Sequence, residues 1–151
     1  MTPSFWQRRR SPAVAGSVTE AGRWVVTVPA DLTAARRELD RRLHGGGPER
    51  RGARAEDVDR LRLVVEELAS NGLRHAGPPV TVQVLVSEQE WLVQVSDHRP
   101  EVPPVPAIGR DPAFGGLGLH VVARLSSDHG WTLDGEIKCV WARLSWTVDG
   151  G

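Results

Sequence analysis

At 151 residues the chain is long enough for one domain with a sizeable buried core. Its 19 basic and 19 acidic residues cancel, which argues against a general nucleic-acid or membrane-surface binder. The single cysteine, Cys139, excludes an internal disulfide, and five scattered histidines without ligand spacing argue against a zinc site.

Residues 1–21 carry Pro, Ser, Gly and Arg without periodicity, so a flexible N-terminal tail is expected ahead of one domain over 22–149. Arg8-Arg9-Arg10 precedes a stretch, Ser11 to Val18, too short and too poor in large apolar residues for an export signal. No apolar run approaches the length of a membrane span, and a cytoplasmic protein is expected. Arg23 to Pro29 alternates around Trp24, Val26 and Val28 and predicts a strand. Asp31 or Thr33 can cap the next helix, which runs to about Leu43 before Gly45-Gly46-Gly47-Pro48 stops it. A long helix follows from about Glu56 to His75, with Gly77-Pro78 behind it.

Val80, Val82, Val84 and Val86 alternate on one side of a strand, and Trp91, Val93 and Val95 do the same in the next. With Ser87 to Glu90 between them they predict an antiparallel hairpin. His98 to Gly115 is Pro-rich and aperiodic, the character of a functional lid. Gly116 to Ser126 predicts a helix, and Gly130 to Leu133 and Lys138 to Val148 predict closing strands around Gly135. The fold class that follows is α+β: a two-layer sandwich with a mixed, mostly antiparallel sheet and helices on one face.

The long helix carries the clearest chemistry. Glu67 and Asn71 stand four residues apart, about 40° around the helix, beside the apolar stripe Val58, Leu61, Val65, Leu68 and Gly72. An Asn oxygen can hold a hard cation, and a Glu can orient or deprotonate a hydroxyl. Glu66 is rotated about 100° from Glu67, toward the opposite flank, which makes Glu67 the functional acid and Glu66 a solvated charge. The same spacing also fits an ordinary polar pair on an exposed face. Asp97, at a strand end, reads either as a turn starter or as an acceptor for an exocyclic amine. Gly115-Gly116-Leu117-Gly118-Leu119 reads either as a hinge or as a helix start where backbone N–H groups meet phosphate.

In this order the signals resemble the anti-sigma-factor serine/threonine kinase family of the GHKL ATPases, with the Bergerat fold. Leu61 to Ala76 looks like its N box, Ser96-Asp97 like the start of its adenine box, and Gly115 to Leu119 like its second glycine box. Lys138 to Leu144 is similar to its closing strand, and the resemblance covers about Arg23 to Val148. It implies an ATP-binding domain over 22–149 that uses ATP and Mg²⁺. Asn71 would hold the metal, Glu67 would act as general base, and Asp97 would accept the adenine amino group. Gly116, Gly118 and Leu119 would lie at the phosphates. The implied partners are a sigma factor or an anti-anti-sigma protein of the STAS type, contacted by Arg36 or Arg37, and the family's habit extends to a homodimer. One departure stands out: Arg99 and Glu101 occupy positions where the family often has glycines. That departure keeps open a non-catalytic nucleotide-binding or sigma-sequestering module.

Overall fold

The valines that recur every second residue from 80 to 86 are all fully buried in the computed structural model, which describes residues 7–10, 18–44, 50–104 and 117–147. Their strand, β2 (Val80–Ser87), turns through Glu88 and Gln89 into β3 (Glu90–Asp97), pairing Ser87 with Glu90 and Val84 with Val93. β1 (Thr19–Val26) flanks β2, β5 (Ile137–Ser145) flanks β3, and β4 (Asp128–Asp134) forms the far edge. The order is β1-β2-β3-β5-β4 with every neighbour antiparallel. The expected mixed character reduces, among the described residues, to one parallel bridge between Arg8 and Trp131.

The inward residues of these strands meet three helices, α1 (Pro29–His44), α2 (Ala55–His75) and α3 (Leu117–Leu125). Leu32, Ala35, Leu39 and Leu43 form the buried stripe of α1. α2 buries Leu61, Val64, Val65, Leu68 and Ala69, and Leu119 and Val122 of α3 complete the core. Each fully buried Leu or Val contributes roughly 1.5–3 kcal/mol. Gly72 lets α2 approach the sheet: a Cβ there would stand 3.1 Å from Val80 and 3.4 Å from Val95.

The first strand is displaced from expectation. It begins at Thr19 and ends at Val26, because Pro29 opens α1, where its fixed φ and missing N–H suit the first helical position. Asp31 secures this start from inside the helix, its Oδ2 accepting the N–H groups of Thr27 (2.9 Å) and Val28 (3.1 Å). Those two N–H groups hold its carboxyl below the usual range. The last strand stops at Ser145, short of the expected Val148.

Within the expected N-terminal tail, residues 7–10 lie along β4. Arg9 donates its N–H to the Trp131 carbonyl at 2.8 Å, and Trp131 returns a bond to Gln7 at 3.2 Å. Trp141 points to the sheet face opposite the helices yet is fully buried, its Nε1 donating to the Arg9 carbonyl at 2.9 Å. The lack of a side chain at Gly130 leaves the room, since a Cβ there would stand 3.1 Å from the Gln7 carbonyl.

Arg60 ties the helices to the sheet. It donates to the Leu125 carbonyl at the end of α3 (3.2 Å), to the Ser145 carbonyl at the end of β5 (3.1 Å) and to Asp57 (2.6 Å). This clamp fixes α3 alongside α2 and so sets what faces the second half of α2. No helix among the described residues is long and apolar enough to cross a membrane.

Candidate functional site

Glu67 and Asn71 lie in the second half of α2, on successive turns. Glu67 is half-buried and rests against Gly118 in the first turn of α3. A Cβ on Gly118 would collide with the Glu67 carboxyl group, whose carbon would lie 2.9 Å away. The absent side chain is therefore what lets a carboxylate reach the start of α3, where unpaired N–H groups favour negative charge. Leu119, the next residue, is fully buried in the core, so only its backbone can face a ligand. Gly116 and most of the Pro-rich segment before it lie outside the described residues.

Asn71 is more buried than its place in a polar pair foretells. It is 5 % exposed, and its Oδ1 has no hydrogen-bond partner among the described residues. A buried carbonyl oxygen left without a donor costs about 1–3 kcal/mol, so it is held there against its own stability. An uncommitted amide oxygen is the donor a hard cation takes, and Mg²⁺ needs only one or two protein ligands when phosphates and water supply the rest. No group of three or more His, Cys, Asp or Glu side chains is gathered for a metal among the described residues. The residues present thus fit a phosphate-bridged Mg²⁺ and not an all-protein metal cage.

Glu66 turns the other way, as its rotation requires, but it is not simply solvated: Arg36 of α1 donates to its Oε2 at 3.1 Å. Both side chains are over a third exposed or nearly so, and such a pair is worth about 0–1 kcal/mol. Arg37 is exposed on the same helix. Together Arg36 and Arg37 line a shallow surface groove with Asp40, Arg62, Leu63 and Glu66.

Asp97 ends β3 on the helix side of the sheet and is 2 % exposed. The turn-starting reading drawn from its position finds support, and its other oxygen meets a lysine. Its Oδ1 accepts the Arg99 N–H at 2.8 Å, the turn-starting bond of a strand-end Asp. Its Oδ2 lies 3.4 Å from the ammonium of Lys138, which stands directly opposite across β3 and β5. Lys138 also donates to the Val102 carbonyl and so fastens the first part of the Pro-rich segment. This buried ion pair was not foreseen. Its signal was present, because Lys138 shares the inward parity of Val140, Ala142 and Leu144. The departures Arg99 and Glu101 pair with each other on the outside, Nε to Oε1 at 2.5 Å, which holds the Glu101 carboxyl below its usual range.

The structure thus brings Glu67, Asn71 and Gly118 to one end of the helix layer and places the Asp97–Lys138 pair at the adjoining end of the sheet. Residues 25–144 match the family model for a histidine kinase-like ATPase domain. No match to a curated protein was found. An α+β sandwich with, among the described residues, a five-stranded antiparallel sheet and three helices on one face, and this match over most of its length, together show that the chain belongs to the histidine kinase-like ATPase family of the GHKL type.

Proposed function

We propose that this domain is a Mg-ATP-dependent serine/threonine protein kinase. It would act in the cytoplasm on an anti-anti-sigma protein, or bind a sigma factor, and so regulate transcription. The observation that carries the reading is the meeting of Glu67 with Gly118 at the start of α3, one turn from the buried Asn71 oxygen that has no partner among the described residues. In this reading Asn71 Oδ1 would hold Mg²⁺, which would supply positive charge against the phosphates. Gly118 leaves the α3 backbone bare for the phosphate end of the nucleotide. Glu67 accepts the proton of an incoming serine or threonine hydroxyl while its oxygen bonds to phosphorus and the bond to the departing ADP breaks. Such transfer depends on positioning and charge stabilisation more than on covalent help, which suits so small a set of side chains. Asp97 accepts the amino group of the base, and the outer face of α1, with Arg36 and Arg37, meets the partner.

A second reading is a regulator that binds its partner without catalysis. It is favoured by the engagement of both Asp97 oxygens and by the Arg99–Glu101 pair in the segment that follows. Incubation with labelled ATP and cognate anti-anti-sigma proteins separates the two. Label on the partner, lost in Glu67→Ala with nucleotide binding retained, is the expected result. ATP binding without transfer to any cognate partner leaves only the second reading.

A further inference from the structure

Residues 7–10 form an arm that adds to the edge of the sheet. Gln7 and Arg9 pair through their backbones with Trp131 of β4, and the Arg9 carbonyl accepts from Trp141 Nε1. The Arg9 guanidinium grips Asp128 with two bonds, at 2.5 and 3.2 Å. Arg8 and Arg9 lie over the rings of Trp131 and Trp141, 5.8 and 6.0 Å from their centroids. Main-chain pairing, a forked ion pair and an aromatic platform are the means by which a sheet edge recognises an extended segment.

What joins the arm to the domain is short. Residues 11–17 alone lie between Arg10 and Val18, eight Cα steps with a greatest reach of roughly 26–29 Å. β1 and β4 are opposite edges of the five-stranded sheet, four strand spacings or about 19 Å apart. The pairing register puts Arg8 level with Trp24, near the far end of β1. Four successive antiparallel pairings make β4 run the same way as β1, so the parallel arm leads away from Thr19. Arg10 therefore stands about 20 Å along the strands from the head of β1, and roughly 27 Å from it on the diagonal of a flat sheet. Within one chain the two ends of the connection are about as far apart as it can reach. A tether at that limit gives the arm a low effective concentration at its own edge strand.

We propose that two copies of this chain exchange their arms, each laying residues 7–10 along β4 of the other in a closed twofold dimer. Exchange keeps every contact of the arm, because an identical chain supplies it, and frees the connection from spanning its own sheet. Such exchange is a low-cost route to a dimer, and a short hinge under strain invites it.

Charge reversal tests this in the full chain. Arg9→Glu brings two carboxylates together and Asp128→Arg brings two guanidinium groups together, whether the arm docks within its chain or on another. In sedimentation equilibrium each variant alone should show a dimer dissociation constant raised roughly tenfold or more, since every dimer holds two such contacts. An equimolar mixture of the two should regain the wild-type constant, because exchange between unlike chains restores opposite charges at both arms. Docking within a chain restores neither. Inserting about five Gly/Ser residues after Ala15 should shift the wild type toward monomer, because the longer connection spans its own sheet with ease. A wild type that is monomeric at every concentration overturns the proposal, as does a mixture no tighter than its parts, or a dimer indifferent to the insertion. If Asp128→Arg does not fold, the insertion and Arg9→Glu decide.

Discussion

Gly118→Ala separates the catalytic reading from a packing role. The backbone at Gly118 lies outside the left-handed region, so an alanine is not strained there. The three atoms nearest the new methyl all belong to the Glu67 side chain, two in its carboxyl group and the third its Cβ, 3.2 Å away. That carboxylate is the free end of a flexible chain and can swing aside, at a cost of roughly 0.5–1.5 kcal/mol if it leaves its preferred rotamer. Against this, alanine gains up to about 1 kcal/mol over glycine in a helix. The two nearly cancel, so stability should change by less than about 1 kcal/mol and the melting midpoint by no more than roughly 2–4 °C. Phosphoryl transfer should nevertheless fall by at least about 100-fold, the usual share of a positioned general base, because Glu67 no longer reaches the start of α3. Thermal denaturation paired with label transfer to the partner measures both quantities. A loss of more than about 3 kcal/mol would mean that Glu67 is locked in place by packing. An unchanged transfer rate in a stable variant would refute its assignment as base.

Asn71→Ala removes a buried oxygen that has no partner among the described residues, so urea denaturation should show little lost stability while Mg-dependent nucleotide binding disappears. Leu68→Ala on the same helix is the contrast, expected to cost about 2–5 kcal/mol because that side chain is 1 % exposed. Burial pushes the Cys139 thiol up to about 11 from 9.0. The unfolded chain then releases this proton first, so the thiol's contribution is intact below pH 9 and is lost as pH rises toward 11. The loss is on the order of 2–3 kcal/mol. Denaturation curves at pH 8 and pH 11 should lie closer together in Cys139→Ala than in the wild type; an identical alkaline loss in both would exclude the thiol as its source.

The sequence by itself determined the elements and their inward faces. Period-2 valines in β2 and β3, and 3.6-period leucines in α1 and α2, leave one buried face each, and burial enforces that face whatever the details of packing. It also separated Glu67 from Glu66, because helical rotation is a local property: Glu66 turns to Arg36 on α1 and Glu67 to α3. Element ends were less legible. Pro29 reads as the end of a strand or the start of a helix until Asp31 is seen closing on Thr27 and Val28.

What only tertiary structure decided are the meetings between distant segments. The stripe of α2 does not reveal that the Asn71 oxygen is buried without a partner among the described residues, which depends on what α3 and the sheet leave beside it. Trp141, with outward parity, is buried by residues 7–10 from the other end of the chain. Asp97 and Lys138 meet because β5 lies in antiparallel register beside β3, a pairing that no local spacing encodes. Each such contact depends on strand order and helix placement, which arise from how the whole core closes; sequence periodicity reports only which side of each element faces inward.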